Sequence, residues 1–206
     1  MGERIDFDAV YQETAGLGGP PWEIGGPQPA LAAVLDQGVK GPKVLDAGCG
    51  TGDLALALAR RGYDVTAVDI SPVAIEMARA KAAAEGLAVR FEVQDATRLS
   101  LPPAPFDSVF DSGLLHSLQR RGDDEADAYL ALLPGLAAPG ATVFVLAVSL
   151  RAGEGWGLTE EYLRSPFAAP AWVGTEVEEI GVAADWDGRD LTLSGFLLRT
   201  IRAPET

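Results

Sequence analysis

Apolar positions along the chain fall into short runs that end in an acid, separated by longer stretches with helical spacing. Lys43-Val44-Leu45-Asp46, Asp64-Val65-Thr66-Ala67-Val68-Asp69 and Phe106-Asp107-Ser108-Val109-Phe110-Asp111 are the clearest, and each stops at a carboxylate. Short apolar runs bounded by turn residues read as buried strands. Ala88 to Val93 is a further strand, closing in Gln94-Asp95-Ala96, and Ala141 to Val148 is apolar enough to lie at the centre of a sheet. Val177 to Asp185 and Leu191 to Arg202 read as two strands joined at Asp187-Gly188, an antiparallel hairpin.

Helices fill the intervals. Leu54 to Arg61 alternates Leu with Ala, which a strand would tolerate, but these residues are strong helix formers and Gly62 suits the position after the last turn. Ser71 followed by Pro72 is an N-terminal cap, Gly86 a stop, and Val73, Met77, Ala80 and Ala84 are expected to form the buried stripe between them. Asp123 to Leu136 carries acids in its first turn and an expected apolar face of Ala128, Leu132 and Leu136, with Pro134 breaking the last turn. Ala30 to Gln37, Thr159 to Leu163 and a short segment within residues 1–13 (Ile5, Phe7, Val10, Tyr11) complete the set. The glycine- and proline-rich residues 14–29, with Trp22 and Ile24, form a loop or lid; residues 97–105 are a proline-rich connector and 151–157 a glycine-rich loop. No repeat, low-complexity segment or linker divides the 206 residues, so a single domain spanning 1–206 is expected.

The net charge of −14 disfavours a nucleic-acid partner and an anionic membrane surface, both of which need a positive footprint. No signal segment or membrane span is legible, and the single Cys49 excludes an intrachain disulfide. A cytoplasmic protein acting on a small molecule is expected, without a metal site; the oligomeric state is not legible.

The chemistry begins at Asp46-Ala47-Gly48-Cys49-Gly50-Thr51-Gly52-Asp53, a strand that ends in a glycine turn and opens a helix. Glycine on alternate positions lets backbone approach a ligand closely. A dinucleotide turn needs a third glycine at the sixth position, where this chain has Asp53. Asp46 and Asp53 would repel a pyrophosphate and suit a ligand that carries an amino group and a sulfonium. Asp69, about twenty residues on, is placed to accept hydrogen bonds from ribose hydroxyls. His116, the only histidine, follows the strand ending at Asp111, and an imidazole of ordinary pKa suits a general base.

The run Val44-Leu45-Asp46-Ala47-Gly48-Cys49-Gly50-Thr51-Gly52 closely resembles motif I of the class I S-adenosylmethionine-dependent methyltransferases. The resemblance extends over the element order of residues 28–202 and implies an α/β, Rossmann-like doubly wound fold. Its mostly parallel seven-stranded sheet would end in a C-terminal antiparallel hairpin. It implies that Asp46, Gly48, Cys49 and Gly50 hold the methionine end of S-adenosyl-L-methionine. Asp69 would take the ribose, Ile70 would pack on the adenine, and Asp95 and Ala96 would meet the adenine edge. The Asp111-Ser112-Gly113…His116 segment would face the transferring methyl group, with Asp111 among the cofactor contacts. Pro21-Trp22-Glu23-Ile24-Gly25-Gly26-Pro27-Gln28-Pro29 is similar to the loop of the thiol, halide and thiopurine-type enzymes that covers the cofactor, which assigns Trp22 that role. Residues 1–29 would then be an N-terminal helix and lid and 30–206 the cofactor-binding core. The chain departs from the plant thiol and halide enzymes at Gly25 and in having Ser117 in place of a paired histidine. Tyr11, Trp22 and His116 are the candidates for contact with a small acceptor. Methyl transfer to its S, N or O atom is the expected activity; a catalytically silent cofactor-binding module is the alternative.

Overall fold

In the computed structural model, residues 5–14, 19–101, 105–186 and 188–204 are described. Seven strands, β1 (Lys43–Ala47), β2 (Asp64–Asp69), β3 (Val89–Val93), β4 (Phe106–Ser112), β5 (Ala137–Val148), β6 (Trp172–Trp186) and β7 (Arg189–Arg202), form one sheet in the order β3-β2-β1-β4-β5-β7-β6. The first five run parallel, and β7 is antiparallel to both β5 and β6. This is the Rossmann-like sheet with a closing hairpin that the sequence implies. The chain winds outward from β1 through β2 to β3, then returns to lay β4 on the other side of β1. That reversal opens a crevice at the carboxyl ends of β1 and β4, the place where open α/β sheets bind ligands.

Helices cover both faces. On one lie α2 (Pro29–Gln37), α3 (Asp53–Arg60) and α4 (Pro72–Glu85), and on the other α5 (Leu114–Arg121), α6 (Asp123–Leu136) and the short α7 (Glu160–Arg164); α1 (Phe7–Thr14) packs against α4. Alternation along β1 sends Val44 into the first layer and Leu45 and Ala47 into the second. Among the described residues no helix is long and apolar enough to cross a membrane.

The expected boundaries hold to within a residue or two for most of the helices and the strands β1 to β4, with three differences of physical interest. The buried stripe of α4 is Ala74, Ile75, Ala78 and Ala82; Ala80 and Ala84 are exposed, and Val73 and Met77 only half-buried. Alanine on every side gives this helix little contrast between faces, so the stripe was placed through the wrong row. In α6 the buried row is Ala126, Tyr129, Leu133 and Leu136, and the helix runs through Pro134 to Leu136. The Pro134 carbonyl accepts from Arg202 Nε at 3.0 Å, which ties the helix end to β7. Residues 114–121, read from the sequence only as a site segment, are the helix α5. In addition, β5 starts four residues before Ala141 and β6 five before Val177, the latter across a register slip between Val173 and Glu176. Asp187 of the expected hairpin turn lies outside the described residues.

Candidate functional site

At the end of β1 the amides of Gly48 and Cys49 both donate to the Val68 carbonyl, at 2.9 Å each, which clamps the turn to the end of β2. Gly48 has φ +72° and Gly50 φ +52°, conformations that favour glycine. Space imposes the same choice. A Cβ on Gly48 would stand 2.8 Å from Leu114 Cβ, and one on Gly50 would stand 2.8 Å from the Tyr11 hydroxyl. The glycine turn is therefore packed directly against the first residue of α5 on one side and against α1 on the other.

Acids surround this turn. Asp46 is fully buried, and neither of its carboxylate oxygens holds a hydrogen bond. Burial, and then the charge of Asp69, pushes its pKa up to about 8, although the nearby Ala55 amide works the other way. Asp69 accepts from Gly50 N at 2.8 Å and from Ser71 N at 2.9 Å; burial still raises its pKa. Ile70, beside it, is an exposed apolar side chain. Cys49 is a poor nucleophile, since burial and the neighbouring carboxylates push its thiol pKa far up. Asp53 does not face a ligand: it pairs with Lys81 at 2.7 Å. Asp95 stands after β3 as the cap of a short 3-10 turn that begins at Ala96, accepting from Thr97 N at 2.9 Å and Thr97 Oγ1 at 2.8 Å. Burial raises its pKa, but these bonds and Arg98 outweigh it and hold the carboxyl below its usual range.

The segment from Pro21 to Gln28 is tied down at several points. Trp22 is half exposed, edge-on to Phe7 and Tyr11, and its Nε1–H donates to the Tyr11 hydroxyl at 3.1 Å. Burial raises the Tyr11 pKa, so the hydroxyl stays protonated. Glu23 accepts from the Thr51 hydroxyl, and Lys81 reaches Thr51 Oγ1 at 2.6 Å. Further along, Gln28 makes both hydrogen bonds of a strand partner to Ala183, and Pro21 accepts from Asp185 N at 2.8 Å. Tyr11 thus meets the glycine turn at Gly50, and Trp22 stands on Tyr11.

Asp111 is held by the chain itself. Its carboxylate is fully buried and turns back to the start of α5, accepting from Leu114 N at 2.8 Å and Leu115 N at 3.1 and 3.2 Å. Burial outweighs those bonds and raises its pKa to about 7. It fixes the helix that carries His116. The imidazole Nδ1 of His116 accepts from Val148 N at 3.3 Å, and burial together with Arg120 lowers its pKa to about 4. A neutral ring whose Nδ1 accepts carries its proton on Nε2. The ring is therefore a neutral donor at Nε2 near neutral pH, with a pKa well below that of an ordinary imidazole.

Two residues absent from the sequence reading complete this wall. Trp156 stands against His116 with ring centroids 5.2 Å apart, and Arg120 lies over the Trp156 ring at 5.4 Å. Trp156 sits in the glycine-rich loop 151–157, the same signal that singled out Trp22. A cavity of about 360 Å³ lies beyond, beside the end of β5, lined by Ser149, Leu150, Leu158 and Phe196 among others.

Residues 44–135 match the methyltransferase domain family. A 2-heptyl-1-hydroxyquinolin-4(1H)-one methyltransferase of Mycobacteroides abscessus is 39% identical over 128 residues, 62% of this chain and 55% of that protein. A ubiquinone biosynthesis O-methyltransferase of Xylella fastidiosa is 36% identical over 140 residues, 62% of this chain and 54% of that protein. The chain spans about half the length of the curated relatives it matches. A solved structure from work on the conversion of a disulfide bond into a thioacetal group during echinomycin biosynthesis superposes over nearly the whole chain. It has a TM-score of 0.83 and 37% identity, covering 97% of this chain and 93% of that one. With motif I folded as a glycine turn at the switch point of such a sheet, the chain belongs to the class I S-adenosylmethionine-dependent methyltransferases.

Proposed function

We propose that this protein transfers the methyl group of S-adenosylmethionine to a heteroatom of a small acceptor. The observation that carries the reading is Asp46, a buried carboxylate with no hydrogen bond beneath the glycine turn. A buried carboxyl without a partner is held neutral by its surroundings, and a cationic ligand supplies the partner that lets it ionise.

The other residues fit the same ligand. The Gly48–Gly50 backbone gives close approach to its amino-acid end, under Tyr11 and Trp22. Asp69 keeps lone pairs for ribose hydroxyls, and the exposed Ile70 offers a face to the adenine, with Asp95 and Ala96 at its edge. The cofactor, when bound, supplies an electrophilic methyl group, so the chain's task is alignment and electrostatics. Holding the acceptor atom in line near the methyl group is worth on the order of 7–11 kcal/mol. Asp111 serves that alignment by fixing the first turn of α5. His116 offers its Nε2–H to the acceptor and holds the ring in place through Val148.

Relatives on both hydroxyl and sulfur chemistry support an oxygen or sulfur acceptor. The hydroxyquinolinone and ubiquinone-pathway enzymes favour oxygen; the full-length likeness to the disulfide-converting protein favours sulfur, in keeping with the thiol-type lid sequence. The test is incubation with methyl-labelled S-adenosylmethionine and a panel of N-hydroxy heterocycles, phenols, N-heterocycles, thiols and disulfides. Labelled acceptor and S-adenosylhomocysteine are the expected products. Tight cofactor binding with no transfer to any acceptor class would leave the silent module as the better description.

A further inference from the structure

The crevice is electrically lopsided. Asp46, Asp69 and Glu23 cluster at the glycine turn, whereas α5 beyond Leu114 carries a cation, Arg120, and a donor, His116. Arg120 belongs to no ion pair among the described residues, although the chain has 30 acids to 16 bases. Its guanidinium lies 5.4 Å from the centre of the Trp156 ring, and the same ring stands 5.2 Å from His116. Val148 N occupies Nδ1, so the ring's proton sits on Nε2, which makes no hydrogen bond to the described residues. The location follows from packing: Leu114 rests on Gly48 of the cofactor turn, and the His116 ring rests on Gly113, where an added Cβ would meet it at 3.1 Å.

We infer that Arg120 and the Nε2–H of His116 form an anion-recognition subsite that takes the acceptor already ionised, as an aromatic oxyanion or a thiolate, with Trp156 holding the two side chains together. The inference rests on the methyl-transfer reading and deepens it. A cation on the donor side and an anion on the acceptor side draw together two reactants that lose their charges as they react. The acceptor atom bonds to the methyl carbon, the carbon–sulfur bond breaks, and sulfur keeps the pair as a neutral thioether. No proton leaves in this step, which agrees with a site whose histidine is a donor. Arg is suited to the task because its guanidinium is always charged, is weakly hydrated and stacks on an aromatic ring.

The experiment is calorimetric titration of the S-adenosylhomocysteine-saturated protein with three probes. These are 1-hydroxyquinolin-4(1H)-one at a pH where its N–OH is ionised, 4-nitrothiophenolate, and quinolin-4(1H)-one, which lacks the ionisable hydroxyl. Wild type is expected to bind at least one ionised probe about tenfold or more tighter than the neutral one. Arg120→Gln should remove that preference, and Arg120→Lys should restore part of it, while S-adenosylhomocysteine affinity stays unchanged in both. The stronger of the two anions distinguishes an oxygen from a sulfur acceptor. An unchanged preference in Arg120→Gln, or no binding of either anion to the wild type, overturns the subsite. Failure of the parent reading is separate: it is binding of the probes with no methyl transfer when S-adenosylmethionine replaces the product.

Discussion

Asp46 and His116 show how a fold sets the protonation state of a side chain before any ligand arrives. Asp46 keeps a proton near neutrality because burial and Asp69 raise its pKa to about 8, and a cationic cofactor favours the ionised form. Binding must then expel that proton. Cofactor affinity is expected to rise between about pH 6 and 7.5, approaching tenfold per unit, with nearly one proton released per cofactor. Calorimetry in buffers of different ionisation enthalpy measures the release; Asp46→Asn should abolish it and bind more weakly at the upper end. A flat wild-type profile would remove Asp46 as the counter-ion. His116 yields a different test. Gln keeps a donor where Nε2 stands, and Asn keeps an acceptor for Val148 N. Loss of one aligned donor at the reacting centre costs on the order of 10²-fold in kcat. His116→Asn should show that loss and His116→Gln far less, with no kcat limb near the ordinary imidazole pKa in the wild type, since the ring stays neutral down to about 4.

Elements meet the site through contact rather than through sequence distance, and the glycine turn is the clearest case. Gly48 and Gly62 both have positive φ, +72° and +86°, but only Gly48 has a neighbour that blocks a Cβ. Alanine at either position carries the left-handed strain of about 1–2 kcal/mol. Gly48→Ala adds a collision with Leu114 Cβ, which no rotamer change relieves and which Leu114→Ala leaves in place. Thermal unfolding should fall by several degrees more in Gly48→Ala than in Gly62→Ala, and only the former should lose cofactor binding; equal losses would mean the close approach is unimportant. The sequence shows such elements where a cap is written into it, as at Ser71-Pro72 and Gly86. It hides α5, whose N-cap is Gly113 and whose first amides are satisfied by Asp111, a residue still inside β4. The motif alone does not show that this acid also caps a helix. The lid's anchors were hidden for a related reason: Gln28 to Ala183 joins residues 155 positions apart.

Across the whole molecule, the acids at the strand ends were legible because a carboxylate closing an apolar run is conspicuous, whereas Arg120 and Trp156 gain meaning only from each other's position. The same acids set the stability of the ligand-free protein. Asp46 and Asp111, with pKa values of about 8 and 7, hold protons in the fold that the unfolded chain has lost above its ordinary carboxylate range. Native protons in excess mean that stability falls as pH rises toward 8. His116 acts in the opposite sense: unfolded, it takes a proton below about pH 6.5 that the folded ring refuses until about 4, so its contribution grows with pH across that interval. As His116 stops offsetting the acids, the decline of the melting temperature is expected to be steepest between about pH 6.5 and 7, easing toward pH 8 as Asp111 and then Asp46 ionise in the fold. S-adenosylmethionine should flatten it, by giving the ionised Asp46 a counter-ion. Asp46→Asn should make it clearly shallower without the cofactor, most of all above pH 7 where Asp111 has ionised, whereas the repulsion from the net charge persists almost unaltered in that variant. Parallel melting curves for wild type and Asp46→Asn would show that the buried carboxylate beneath the turn does not govern the loss.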